Sequence, residues 1–313
     1  MNITMKKYEL LLLSVILIGL TSSVACADTI YVTNSSNNTV AIIGSGGTTT
    51  TFGSSSDLSG PTGLAMNSSG DIFVANNNSG DIAEFTPSVA GYVFEDDFAT
   101  GLSNPRGLAF DSAGNLYVAN QSDGIVDKFT PGGVESVFAT GLSTPNGLAF
   151  DSAGNLFVTN GTGGTGAGSI TLITPGGIPA NLTISGTPLN APNGIAFKGN
   201  NVYVVDHNDP AVEEITSGGV GSIFPTTAGS LNLPKTLTFD SSGNLYVTDF
   251  GNNTVTEYNA SGALIHTYST DIDGPCFVIA VASLSVPEPS TYALLGLGAG
   301  LLFFFNRRKL ARA

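Results

Sequence analysis

Apolar and polar positions along this chain follow a short script that repeats. From Arg106 the chain reads RGLAFDSAGNLYVAN, and from Asn146 it reads NGLAFDSAGNLFVTN. In both, an apolar stretch is cut by the turn residues Asp-Ser-Ala-Gly, and a second apolar stretch follows that ends on Asn. Apolar runs of this length bounded by turn formers predict two strands joined by a tight turn. A third strand follows, as in IVDKFT, and a fourth comes after Pro-Gly-Gly, as in VESVFAT. Nothing in the body of the chain has helical spacing with caps.

The script opens on Pro61, Pro105, Pro145, Pro192, Pro234 and, in weaker form, Pro275, at steps of 44, 40, 47, 42 and 41 residues. Four strands every forty-odd residues predict an all-β fold, a six-bladed β-propeller with four-stranded blades. One blade alone leaves both faces of its sheet apolar and wet; stacking between neighbours buries both. Phe73, Tyr117, Phe157, Tyr203 and Tyr246 recur at one position of the unit and are read as the core between blades. Burying each ring contributes roughly 1.5–3 kcal/mol.

The ends complete the count. DTIYVTNSSNNTVAIIGSGG, from Asp28, matches the second and third strands of a unit, and GPCFVIAVAS matches a first strand with nothing after it. Together they predict one blade closed by both termini, with Cys276–Ser283 as an indispensable strand. The repeat resembles the NHL family, through Pro-x-Gly-[Leu/Ile]-Ala-Phe-Asp and [Leu/Val]-[Tyr/Phe]-Val-x-[Asn/Asp] over residues 28–284. YVTN at Tyr31 also resembles the neighbouring YVTN propeller repeat. The resemblance implies a fold and leaves the activity open.

Residues 1–27 read as a secretory signal. Lys6 and Lys7 form its positive end, LLLSVILIGL its apolar run, and Ala25-Cys26-Ala27 its cleavage site. A lipoprotein signal at Cys26 is the alternative, and Ser23 departs from it. Cleavage at Ala27 leaves Cys276 as the single cysteine, so no internal disulfide staples the exported fold. The chain carries a net charge of −14. Six of its 10 cations and two of its 24 acids lie in the two end segments, so the body keeps four cations and 22 acids, near −18. Those four are Arg106, Lys128, Lys198 and Lys235. Such a body repels phosphate backbones, so nucleic acid is not expected as a partner.

In an antiparallel blade, the start of strand one and the end of strand two share a face. The post-proline residues Thr62, Arg106, Asn146, Asn193, Lys235 and Cys276 should therefore share a mouth with Asn34, Asn76, Asn120, Asn160, Asp206 and Asp249. The second set hardly varies, which fits a blade-building role, with Asn and Asp shaping the turn two residues on. The first set varies, as a binding mouth would. Sugar lactonases of the gluconolactonase type resemble this plan and place metal ligands at some post-proline positions. That resemblance implies Asn146 and Asn193 as ligands to a divalent ion such as calcium. No Glu or Asp stands at the matching positions, and Lys235 on the next blade would repel a cation. His207, beside Asp206 and Asp209, is a candidate general base; a solvated loop histidine is the plainer reading. His266 falls in an outer strand. GTGGTGAGS at Gly161 is followed by a strand, not a helix, so it reads as a lengthened hairpin loop that accounts for the step of 47, and not as a phosphate cradle. Glu95-Asp96-Asp97 reads as a solvated outer strand.

Residues 285–313 close the chain. Val286-Pro287-Glu288-Pro289-Ser290-Thr291 leads into the apolar run 292–305, a short apolar helix, and then Arg307, Arg308 and Lys309. Fourteen apolar residues fall short of the ~20 a stable span wants, and the basic stop places that end on the cytoplasmic side. The order resembles the PEP-CTERM sorting signal. That implies a Gram-negative source, signal peptidase and an exosortase acting during export, a transient membrane hold through 292–305, and release to the cell surface or extracellular matrix. The functional expectation is a non-enzymatic binding or scaffold module, with no cofactor, whose wide acidic face meets a protein or polysaccharide. The alternative is a metal-dependent, lactonase-like hydrolase at the mouth.

Overall fold

The computed structural model describes residues 28–44, 46–161, 168–224 and 231–282. The secretory signal with Ala25 and Ala27, the sorting tail with Pro287, Glu288, Pro289, Arg307, Arg308 and Lys309, its apolar helix, and Ser283 lie outside them. Six antiparallel sheets stand in a ring, and the one helical turn among the described residues is Phe250–Asn252. Blade I holds β1 (Thr29–Asn34), β2 (Thr39–Ile43) and β3 (Thr49–Phe52). Blade II is β4 (Pro61–Met66), β5 (Ile72–Asn76), β6 (Asp81–Ser88) and β7 (Gly91–Ala99). Blade III is β8 (Pro105–Phe110), β9 (Leu116–Asn120), β10 (Ile125–Phe129) and β11 (Glu135–Ala139). Blade IV is β12 (Pro145–Phe150), β13 (Leu156–Asn160), β14 (Ser169–Ile173) and β15 (Pro179–Asn181). After the two-residue β16 (Ser185–Gly186), blade V is β17 (Pro192–Lys198), β18 (Asn201–Asp206), β19 (Ala211–Ile215) and β20 (Val220–Ile223). Blade VI is β21 (Pro234–Phe239), β22 (Leu245–Asp249), β23 (Thr254–Tyr258) and β24 (Leu264–Tyr268). The last strand, β25 (Pro275–Val281), returns to blade I and pairs with β1, from Thr29 opposite Val281 to Asn34 opposite Pro275. The expected closure by both chain ends is present.

Burial falls from the axis outward. Every residue of β5, β9, β13 and β22 is buried, because a neighbour covers each face. The fourth strands are mostly exposed, and Glu95-Asp96-Asp97 lies on one of them. The Asp-x-x-Gly turns are held by one side chain. Asp111 accepts hydrogen bonds from the backbone N–H of Ala113 and of Asn115, both at 2.9 Å, and Gly114 takes φ 80°. That left-handed conformation suits glycine.

One expectation needs correction. The Gly161 hairpin does not alone make the step of 47. It puts eight residues between β13 and β14 where blade III has four between β9 and β10. The other three extra residues lie after β14, where the chain leaves blade IV and lays β16 parallel to the outer strand of blade V.

The strand-two aromatics join blades as expected. Four of the five meet a phenylalanine from strand one of the next blade. Phe73–Phe110, Tyr117–Phe150, Phe157–Phe197 and Tyr203–Phe239 have ring centroids 5.2, 5.0, 5.0 and 4.8 Å apart, all edge to face. Such pairs add about 0.5–1.5 kcal/mol beyond their buried area. The two seams flanking blade I lack this pair. Ala280 stands at the phenylalanine position facing Tyr246, and Met66 at the one facing Tyr31.

Two outcomes are expected. A chain ending at Gly274 leaves β1, an inner strand, without its partner, and should show no cooperative thermal transition by circular dichroism. Phe157→Ala should lower unfolding free energy by about 3–5 kcal/mol in denaturant titration, with the fold retained.

Candidate functional site at the axial mouth

The proline of each unit pairs with the Asn or Asp that ends strand two. The pairs are Pro61–Asn76, Pro105–Asn120, Pro145–Asn160, Pro192–Asp206, Pro234–Asp249 and, across the chain ends, Pro275–Asn34. Both residue sets therefore lie at one end of the ring. After each proline the register slips, so the next residues form a β-bulge. A bulge bends its strand and re-aims side chains. Here it brings the post-proline residues of all six blades, Thr62, Arg106, Asn146, Asn193, Lys235 and Cys276, onto one narrow cavity of about 20 Å³. That is room for about one water.

The glycine after the bulged residue explains the closeness. A Cβ on Gly63 would sit 1.8 Å from the carbonyl oxygen of Arg106, one on Gly107 2.3 Å from that of Asn146, and one on Gly147 2.5 Å from that of Asn193. Only glycine lets neighbouring inner strands touch so closely. The sequence signal for this was the Pro-x-Gly spelling itself, read above only as punctuation. A second missed signal is the threonine of YVTN. Thr33 Oγ1 donates to the Thr62 carbonyl at 2.7 Å and accepts from Phe277 N–H at 2.9 Å; Thr159 Oγ1 accepts from Gly147 N–H at 2.8 Å and donates to the Asn193 carbonyl. These hydroxyls tie adjacent blades at the axis.

The strand-two Asn and Asp residues are buried. They build blades, chiefly by a longer reach than a local turn. Asn76 accepts from Ser59 N–H at 3.0 Å, Asp249 from Asn232 N–H at 3.0 Å, and Asp206 from Asn190 and Ala191 N–H at 2.6 and 3.0 Å. Asn34 grips Asp271 and Asp273 in the same way. Each thus clamps the loop that leads into strand one. Asn120 and Asn160 turn instead to the third strand, to Asp127 and Thr171.

Charge at the mouth is opposite to that of the body. Arg106 and Lys235, two of the four body cations, face it from blades III and VI, which stand opposite in the ring. Arg106 Nε donates to Gln121 at 3.2 Å, and Gln121 in turn donates to Asn146 Oδ1 at 2.7 Å. Lys235 Nζ lies 5.2 Å above the Phe250 ring. Among the described residues neither cation has a carboxylate partner; the one ion pair is Lys128–Asp111. Burial lowers the pKa of both, the neighbouring Cys276 opposes that shift in each, and for Lys235 the Arg106 charge adds to the lowering. His207 sits half-buried nearby. Its Nδ1 lies 3.1 Å from the Pro234 carbonyl, which can only accept, so Nδ1 carries the proton of that bond. Burial first, and then the charge of Lys235, lower the His207 pKa. His266 lies on β24, its ring tilted against that of Tyr268 with centroids 4.4 Å apart.

A calcium site does not fit this donor set. The cavity offers amides and a hydroxyl between two cations and no carboxylate, and Asn146 Oδ1 already accepts from Gln121. Among the described residues no cluster of three His, Cys, Asp or Glu side chains could hold a metal.

Comparison with known proteins agrees with this architecture. The NHL repeat family matches residues 231–258, over β21 to β23. The PEP-CTERM protein-sorting motif matches residues 285–309. No curated protein matches the chain in sequence. A chain of a nidogen/laminin complex superposes with TM-score 0.68 at 17% identity, over 82% of this chain and 99% of that one. Virginiamycin B lyase from Staphylococcus aureus gives 0.58 at 19%, over 79% and 82%, and a streptogramin B lyase 0.58 at 18%, over 79% and 85%. Identities this low carry the fold alone. The chain is a six-bladed β-propeller that carries an NHL repeat at residues 231–258. Its C-terminal PEP-CTERM motif marks it as an exported protein sorted to the cell surface by an exosortase.

Asp127 gives the mouth's surroundings a pH signature. It is buried on β10; one oxygen accepts from Asn120, and the other has no hydrogen-bond partner among the described residues. Desolvation, reinforced by Glu135, raises its pKa to about 6. An unfolded aspartate titrates near ~3.9. Between about pH 4 and 6 the unfolded chain therefore releases this proton first, so the folded state loses stability as pH rises through that window. Asp127→Asn should flatten that slope and raise the melting temperature at pH 7, as read by thermal melts at stepped pH.

Proposed function

We propose that this protein is a binding propeller of the cell surface or extracellular matrix, which engages a polysaccharide or protein partner through its axial mouth and performs no chemistry on it. The observation that carries this reading is the convergence of one residue from each of six blades on one cavity lined by two cations that have no carboxylate partner among the described residues. Repetition accounts for the strand-two Asn and Asp residues but not for a variable set aimed at one point. The cavity lacks the paired groups that acyl transfer or metal-assisted hydrolysis needs, and Nδ1 of the nearest histidine is engaged by the Pro234 carbonyl. After signal peptidase removes residues 1–27, the run 292–305 would hold the protein at the inner membrane until the exosortase acts.

A second reading has one specific support. The fold is similar to virginiamycin B lyase, whose catalytically inactive histidine-to-alanine form has been crystallised with quinupristin, and His207 stands beside the mouth here. A lyase or lactonase role would make His207 its base.

Purified protein decides between them. It should turn over neither a streptogramin B nor a sugar lactone, before or after calcium addition. Turnover that disappears in His207→Ala, or in Asn146→Ala and Asn193→Ala, would replace the binding reading with the enzymatic one. Sorting is tested separately: alanines at Pro287, Glu288 and Pro289 should leave the protein in the membrane fraction of an exosortase-bearing host.

A further inference from the structure

Two like charges facing one cavity of about 20 Å³ are unfavourable unless something negative joins them. The protein had 22 acids in its body with which to neutralise them, and none lies among the residues lining the cavity. Residues 162–167 and 225–230, outside the described residues, contain no charged side chain in the sequence either. The mouth therefore holds a local positive field inside a molecule of strongly negative charge.

That contrast selects a ligand. A polyanion would meet the mouth favourably and the rest of the surface unfavourably, since its other charges would lie over a body near −18. A single negative group would feel mainly the two cations. With room for about one water, the cavity keeps a sugar ring outside and admits at most one oxygen of a carboxylate. Around the cations stand the amides of Asn146 and Asn193 and the hydroxyl of Thr62. Thr62 Oγ1 already donates to backbone carbonyls, so the amides are the groups left for neutral hydroxyls above the cavity. We infer that the axial mouth binds the carboxylate of a small sugar acid, held between Arg106 and Lys235. The inference deepens the binding role proposed above and rests on it.

Cys276 lines the same cavity and is the single cysteine left once Cys26 is replaced by serine. The full chain carrying Cys26→Ser therefore has a built-in reporter. Its labelling by N-ethylmaleimide, a neutral reagent, should be slowed saturably by sodium glucuronate and not by glucose. Arg106→Gln and Lys235→Gln should each raise the glucuronate concentration for half-protection by roughly tenfold or more. Lys128→Gln and Lys198→Gln, which alter the other two body cations, should leave it within about twofold. Because unpaired like charges oppose folding, the two mouth variants should melt no lower than the parent. The site is refuted if glucuronate gives no saturable protection, if glucose protects equally, or if polygalacturonate protects and the monomer does not. It is also refuted if the two mouth variants melt well below the parent, which would make the cations structural. Lost protection without lactone turnover refutes this site alone. Lactone turnover with protection intact refutes the non-catalytic role alone.

Discussion

Close approach of the inner strands at the axis is the constraint on which the rest of the molecule depends. Gly63, Gly107 and Gly147 each press against a carbonyl oxygen of the next blade at distances no side chain would permit. Strands that near leave a cavity of about 20 Å³ where a looser ring would leave a channel. The bulge after each proline then has one direction in which to place its extra residue. The mouth is thus a product of backbone packing, and its residues can vary without disturbing the ring. The same logic explains why strand-two Asn and Asp vary so little. Four of the six clamp incoming loops, and a misplaced loop would misplace the bulge.

The electrostatics follow from that geometry. Arg106 and Lys235 lie far apart in the chain, and ring closure sets them on opposite blades facing one point. Desolvation acts on both, and for Lys235 mutual repulsion adds to it. A structural role would be served better by an ion pair or by apolar residues, since a buried unpaired charge is costly. Perturbed groups gathered in a concavity are a mark of function. The same positive centre that suits a carboxylate disfavours the calcium that a lactonase-like site would need.

Much of the fold was legible because it is written six times. Proline spacing counted the blades, alternation gave the strands, and the incomplete units at Asp28 and Gly274 predicted the shared blade. Repetition also identified Phe73, Tyr117, Phe157 and Tyr203 as contacts between blades, although their partners Phe110, Phe150, Phe197 and Phe239 emerged only from packing. The mouth was legible as a set of positions and not as a chemistry. The body's four cations can be counted along the chain, but that two of them converge depends on a bulge and a closed ring, neither of which a linear reading resolves. The transfer of β16 to the neighbouring blade was illegible for a related reason, since two residues pairing in parallel have no periodicity to detect.

Closure itself shows how the repeat is modified where it matters most. Four seams are joined by an edge-to-face pair between strand two and the next strand one, and the two seams of blade I lack that pair; between blades I and II, Tyr31–Tyr92 and Phe52–Phe85 meet edge to face instead. Hydrogen bonds hold the strand that closes the ring. Phe277 N–H reaches Thr33, Val278 N–H reaches Thr236 at 3.0 Å, and Ser35 N–H reaches the Gly274 carbonyl at 3.0 Å. The difference suits the task. Within the other blades a short turn fixes which residue faces which. At the closing blade no turn connects β25 to β1, so the pairing register has to be specified by the contacts themselves. A slip of one residue would reverse every side chain of β25, and aromatic contact alone discriminates poorly against it. Directional bonds to Thr33 and Thr236 do discriminate, because each is satisfied in one register only.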